Sequence, residues 1–391
     1  MKYNFDEEIN RFGTDSFKYD MLPEFFGSSD VLPLWVADTD FKTPPFILEA
    51  IRKRLEHGIL GYTFRGDEFF QSVIGWTKRR YDWEVERAWI SFSPGVVSAI
   101  SASIQAFTKP DDKIVIQPPV YSPFFECVTS LERILVENPL KMVNGRYCFD
   151  LEDLESKIDG DTKMLILCNP HNPGGMAWSR DELKALSDLC LRHEILVVSD
   201  EIHADLTYKG QRHTPFASLS DEAAQNSIVC MSPSKTFNVA GLSTSVVVIP
   251  NLRKFKTYEK TLATLHIQLG NILGNVALET AFNEGDEWLS QAMDYVGENY
   301  RYLEKVLTDE LPKVKIMKPE ATFLVWLDFR EYGMDAETLN RFFIEEARVA
   351  LNNGKQFGSE GEGFMRINIG CTRTTLQEAL KRICKAFKAL G

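Results

Sequence analysis

Two stretches, Ile195-Leu-Val-Val-Ser-Asp-Glu-Ile-His203 and Ile228-Val-Cys-Met-Ser-Pro-Ser-Lys-Thr-Phe-Asn238, share one design. Each begins with four apolar residues in succession and then breaks into hydroxyl, carboxylate, imidazole or amine groups. Unbroken rather than alternating hydrophobicity marks a strand covered on both faces, as in a parallel sheet layered between helices. The same form recurs at Lys113–Ile116, Met164–Cys168 and Val246–Ile249. Between such runs lie amphipathic segments, among them Ser179 to Cys190, where Ser179 and Glu182 have the spacing of a capping box. Strand and helix in alternation predict an α/β layer fold.

After Asp286 the pattern changes. A helical stretch runs towards Leu307 with Trp288, Met293 and Val296 on its inner face. Strands follow at Val314–Met317 and Thr322–Leu327, then a helix over Ala336–Ala347, a strand over Phe364–Ile369 and a last helix. These predict a smaller α+β lobe. A chain of 391 residues exceeds what one core usually supports. The expected division is an N-terminal segment (1–47) joining the small domain, a large domain (48–286) and a small C-terminal domain (287–391). The first 40 or so residues carry few helix signals and are expected to wrap over the fold or over a partner.

The formal net charge of -12 disfavours nucleic acid and anionic membranes as partners. No apolar run approaches the roughly 18 residues of a membrane span, and the N-terminus has no signal-peptide pattern. Seven cysteines, odd in number and never spaced as C-x-x-C, point to reduced thiols and a cytoplasmic setting. The six histidines are scattered and no metal site is expected.

In an open α/β sheet, function belongs beyond the carboxyl ends of the strands. Three polar clusters fall there: Asn169-Pro-His-Asn-Pro-Gly-Gly175, Ser199 to His203, and Ser232 to Asn238. A lysine between hydroxyls, such as Lys235, can form an imine with an aldehyde while the hydroxyls meet a phosphate. An aspartate after a buried strand, such as Asp200, can pair with a pyridinium nitrogen, although in isolation it also reads as a helix N-cap. Asn169 can donate to a phenolate oxygen, or serve turn geometry. Ser93-Pro-Gly-Val-Val97 precedes a helical pattern whose first N–H groups can receive a phosphate.

In the order and spacing of these motifs, the chain resembles fold-type I enzymes of pyridoxal 5'-phosphate, the aspartate-aminotransferase superfamily. Leu34-Trp-Val-Ala-Asp-Thr-Asp-Phe41, Leu60-Gly-Tyr-Thr63, Pro118-Pro-Val-Tyr121 and Asp200-Glu-Ile-His-Ala-Asp205 make it similar to the MalY/PatB group of cystathionine β-lyases. The resemblance implies a large, mostly parallel sheet covered by helices plus a smaller α+β domain. It implies that Lys235 is the Schiff-base and catalytic lysine, Asp200 the partner of the ring nitrogen, and Asn169 the contact of the phenolic oxygen. Tyr121 matches the aromatic stacked on the ring, with a catalytic role beside Lys235. Gly95, Val96, Val97, Ser232 and Ser234 lie where the family holds the phosphate, and His203 stands among the cofactor contacts. Arg366 matches the arginine that clamps the substrate carboxylate, with Trp35 and Ala37 beside the substrate. Tyr62 matches a tyrosine supplied by the neighbouring subunit, which implies a homodimer with shared sites.

Two positions depart from the transaminase pattern: His203 replaces a tyrosine, and Ser243 replaces an arginine that binds phosphate. Both shift the expectation to β-elimination on L-cystathionine or a cysteine-type amino acid, giving thiol, pyruvate and ammonia. An aminotransferase of the same fold is the alternative, and a non-catalytic regulatory protein a third reading.

Overall fold

The computed structural model describes residues 2–390. Its centre is a seven-stranded sheet: β1 (Ile90–Ser93), β2 (Lys113–Ile116), β3 (Ile134–Glu137), β4 (Thr162–Cys168), β5 (Leu196–Asp200), β6 (Ser227–Met231) and β7 (Ser245–Val248). The spatial order is β1-β7-β6-β5-β4-β2-β3. Pairing is parallel from β6 through to β3, and β7 runs antiparallel to both its neighbours. The apolar run at Val246 therefore marked burial correctly but not direction. An antiparallel strand enclosed between two others is as fully covered as a parallel one.

Side chains alternate between two covered faces along the strands, as a pleat requires. Ile114, Ile116, Met164, Ile166, Val198, Ile228 and Val247 pack with the helices Val96–Phe107 and Leu252–Thr264. On the other face, Leu165, Leu167 and Val197 meet the helix Arg180–Arg192, which starts at the Ser179–Glu182 capping box. The edge strand β3 is partly exposed.

A second, antiparallel sheet contains β8 (Lys315–Ile316), β9 (Leu324–Asp328), β10 (Asn352–Asn353) and β11 (Phe364–Asn368), in the order β8-β9-β11-β10. The helices Ala336–Glu345 and Arg373–Lys388 belong to the same region. The helix Asp286–Glu310 spans 25 residues, burying Trp288, Leu289, Ala292, Val296, Tyr300, Leu303 and Leu307 along one stripe. Met293 is half-buried rather than fully inside.

The N-terminal segment forms two short helices, Phe17–Asp20 and Leu22–Phe26, and a two-residue strand, Leu32–Pro33, that pairs in parallel with Val349–Ala350. It is fixed by charge as well as by packing. Lys18 is fully buried, with Nζ 3.0 Å from Asp40 and 3.7 Å from Asp38, and Arg11 bonds both carboxylates. Removing one member of such a buried group leaves uncompensated charge.

Two outcomes follow from this packing. Lys18→Met should lower the unfolding free energy by about 3 kcal/mol in urea titration, whereas Lys42→Met, whose partner Glu7 is exposed, should leave the midpoint unchanged. His171 is buried against Tyr147 and Trp178, and burial lowers its pKa from 6.5 to about 3. Its contribution to stability is full above the unfolded value and is lost as pH falls towards the folded one. Urea midpoints measured between pH 7 and pH 4 should therefore show His171→Asn with a shallower acid dependence, by up to about 1.4 kcal/mol per pH unit.

Candidate active site

The register of the large sheet brings three of the polar clusters to one edge. Cys168 is level with Asp200, and Asp200 with Cys230. Asn169 and the turn Ser232–Thr236 therefore project from adjacent strand ends, and the backbone N–H of Asn169 donates to the Asp200 carbonyl at 2.9 Å. On the far side Ser93 is level with Ser245, whose Oγ donates to the Ser93 carbonyl at 2.8 Å. This holds Gly95 and the first turn of the helix Val96–Phe107 beside the lysine turn.

Lys235 sits in the one-turn helix Pro233–Thr236, N-capped by Ser232. Its Nζ donates to the Ala37 carbonyl at 2.8 Å. Burial lowers its pKa, with Asp38 acting in the opposite sense. Asp200 is buried, and burial raises its carboxyl to about 7, offset in part by the Ile202 N–H and by Lys235. His203 is buried and pushed down to about 3, chiefly by burial and then by the charges of Lys235 and Arg366, so its imidazole is neutral. Burial also raises the Tyr121 hydroxyl, with Asp200 acting in the same sense.

Arg366 lies in β11, opposite Trp326 of β9 and Asn352 of β10. It is buried and held by three acceptors: Asn172 Oδ1 at 2.9 Å, the Trp35 carbonyl at 2.8 Å and Asn352 Oδ1 at 2.5 Å. Its guanidinium stands over the Phe357 ring at 4.9 Å. Burial lowers its pKa to about 10, which leaves it cationic at neutral pH.

The segment 35–41 passes between the lysine and the arginine with its carbonyls gripped in sequence. Asn368 Nδ2 donates to Val36 and Asp38, Lys235 to Ala37, and Asn238 Nδ2 to Thr39 and Phe41. Trp35 and Ala37 thus reach the site through backbone carbonyls. The Trp35 indole packs among Phe17, Phe25 and Phe26 and donates to the Lys18 carbonyl at 2.9 Å.

These residues fit pyridoxal phosphate. Asn169 Oδ1, His203 Nδ1, Thr244 Oγ1 and Arg366 Nε are buried without hydrogen-bond partners. Asn169 Nδ2 donates to the Thr214 carbonyl at 3.1 Å, leaving its second N–H for another acceptor. Nothing lies within 4 Å of where a Gly95 side chain would begin, so the start of the helix faces open space. Val96 is buried and Val97 half-buried in that first turn. Ser232 Oγ bonds the Thr244 carbonyl at 2.8 Å and Ser234 Oγ at 2.5 Å. Ser243 lies exposed in left-handed backbone, φ 45°.

Tyr62 is not brought to this group: it is 99% exposed in an irregular stretch with Ile59, Leu60 and Phe64 also exposed. Asn172, Asn238, Asn352 and Asn368 escaped the sequence reading as site residues. Asn172 stood in a quoted motif and Asn368 two positions after Arg366, but which carbonyl or guanidinium an amide meets is set by tertiary contacts. Among the described residues no cluster of three His, Cys, Asp or Glu could hold a metal ion, and no helix is long and apolar enough to cross a membrane.

The family model described as aminotransferase class I and II matches residues 29–383. The chain is 47% identical to cystathionine beta-lyase PatB of Bacillus subtilis, over 98% of this chain and 100% of that protein. It is 30% identical to protein MalY of Escherichia coli, over 99% and 100%. The crystal structure of cystalysin from Treponema denticola, which contains a pyridoxal 5'-phosphate cofactor, is 35% identical and superposes with a TM-score of 0.97 over 100% of both chains. The strand-end lysine, aspartate and asparagine thus occur in a chain that, over its whole length, belongs to the aminotransferase class I and II family, within its MalY/PatB group.

Proposed function

We propose that this protein is a pyridoxal-phosphate-dependent carbon–sulfur lyase that cleaves L-cystathionine or a cysteine-type amino acid to a thiol, pyruvate and ammonia. The observation that carries the reading is a half-buried lysine and a fully buried carboxylate at adjacent strand ends, in a chain 47% identical to a cystathionine beta-lyase.

When bound, the cofactor supplies the electron sink that makes the substrate α-proton acidic. Lys235 would hold the cofactor's aldehyde, and its amine, whose pKa burial lowers, would take the substrate's α-proton. Asp200 would pair with the ring nitrogen, and a carboxyl already raised by burial would gain most from such a cationic partner. Arg366, preset by Asn172, Trp35 and Asn352, presents its fork to the α-carboxylate. Asn169 would donate its remaining N–H to the phenolic oxygen, and Tyr121 would cover the ring face. The sulfur leaves as a thiol, whose pKa of about 8.5 makes departure easy, and takes its proton from Lys235 or Tyr121. The three-carbon remainder is released and hydrolysed to pyruvate and ammonia.

Gly95, Val96, Val97, Ser232 and Ser234 would hold the phosphate through backbone N–H groups and the Ser234 hydroxyl, the Ser232 O–H being given to the Thr244 carbonyl, and with Ser243 in place of an arginine these donors would carry more of the charge. His203, neutral in its pocket, contacts the cofactor without adding charge to it. The working unit is a homodimer in the cytoplasm. Exposed Tyr62 and its apolar neighbours cover the partner subunit, and each Tyr62 completes the phosphate site opposite. Within each subunit the division is 1–47, 48–286 and 287–391, with the first segment joining the small domain.

With L-cystathionine, added cofactor and no keto acid, the purified protein should release pyruvate continuously, and Lys235→Ala should lose at least about 10³-fold. A single half-turnover that cycles only after 2-oxoglutarate is supplied would make the protein an aminotransferase. A 1:1 mixture of Lys235→Ala and Tyr62→Ala chains, refolded together, should regain activity in about a quarter of sites, because a hybrid dimer rebuilds one native site. No recovery would show that Tyr62 does not cross the interface.

A further inference from the structure

Asp205 has no part in the chemistry above, yet both its oxygens are engaged. Oδ1 accepts from Trp76 Nε1 at 3.0 Å and from the Tyr81 hydroxyl, and Oδ2 accepts from Thr236 Oγ1 at 2.8 Å. The residue is 4% exposed, and among the described residues its carboxylate has no cationic partner. Burying a carboxylate without a counter-ion is costly, and donors converging on it offset that cost.

The donors come from separate pieces of the chain. Trp76 and Tyr81 lie on the helix Asp67–Tyr81, where the Trp76 ring stacks on Phe282 at 5.1 Å. Thr236 follows Lys235 in the four-residue helix Pro233–Thr236. Asp205 itself rides on the turn after β5, closed by backbone bonds from Ala204 to Glu201 and from Leu206 to His203, each 3.0 Å, while the Ile202 N–H donates to Asp200 Oδ1 at 3.1 Å.

A helix of one turn has no stability of its own and takes its direction from what its ends touch. Its front end is held by the Ser232 cap, whose Oγ accepts from the Ser234 N–H at 3.1 Å. Its back end is held by Thr236 on Asp205. We propose that Asp205 is a positioning residue that locks the Lys235 turn onto the Asp200 loop, fixing the amine and the carboxylate relative to each other across the cofactor. The same carboxylate ties both to the helix that begins directly after the Tyr62 segment. This inference rests on the assignment of Lys235 and Asp200 to the cofactor.

The test compares Thr236→Val, which removes the bond to the lysine turn, with Thr236→Ser, which keeps the hydroxyl, and Trp76→Phe, which removes another donor from the same carboxylate. Each holoenzyme is titrated with pH through the visible absorbance of its lysine-linked pyridoxal phosphate, and kcat, KM and thermal midpoint are measured. Thr236→Val should move the absorbance midpoint by at least about half a pH unit and lower kcat about 10-fold, with KM within about 2-fold. Thr236→Ser should restore both, and Trp76→Phe should lose thermal stability without moving the titration. A wild-type titration and kcat in Thr236→Val would overturn the inference, as would an equal shift in Trp76→Phe. Lys235→Ala separates the two levels of the argument. If that variant kept the wild-type titrating band, the Lys235 assignment would fall and this inference with it.

Discussion

Parallel pairing of Thr162–Cys168, Leu196–Asp200 and Ser227–Met231, in a register that sets Cys168, Asp200 and Cys230 side by side, is the constraint on which the site depends. A parallel register aligns carboxyl ends, so whatever follows each strand is delivered to one edge. Asn169, the Asp200–Asp205 loop and the Ser232–Thr236 turn need no long loops to meet. A slip of one residue on the central strand would turn Asp200 to the opposite face and bring apolar side chains to the wrong layer of helices. The same burial that fixes the register therefore fixes the chemistry.

The second constraint is the grip on residues 35–41. Lys235 and Asn238 come from the large sheet's edge, Arg366 and Asn368 from β11 of the small sheet, and all four donate to carbonyls of this one segment. A bent segment outside helix and sheet is otherwise unstable inside a protein, since each buried carbonyl needs a donor. Here the donors are side chains that also define the site, so placing the segment and placing the site are one event. Lys18 and Arg11 on Asp38 and Asp40 close the arrangement from the N-terminal side.

Charge is arranged by burial more than by pairing. Water exclusion lowers Lys235 and His203 and raises Asp200 and Tyr121, each towards its neutral form. Arg366, although buried, stays cationic at neutral pH. Histidine at 203, neutral and buried, adds a polar nitrogen to the site without adding a charge.

Much of this was legible in sequence because it is local. Unbroken apolar runs announce covered strands, Ser179 and Glu182 announce a helix start, and Asn169, Asp200 and Lys235 stand one, two and four residues past the ends of such runs. Spacing along the chain was enough to place them at strand ends, and hence together. What sequence left undecided was whatever depends on a partner far along the chain. The antiparallel sense of β7 is invisible in its composition, because burial is the same either way. The amides at 172, 238, 352 and 368 and the carboxylate at 205 acquire their roles from donors and acceptors up to 332 residues away. A hydrogen bond is a statement about two groups in space, and only the tertiary structure supplies the second one.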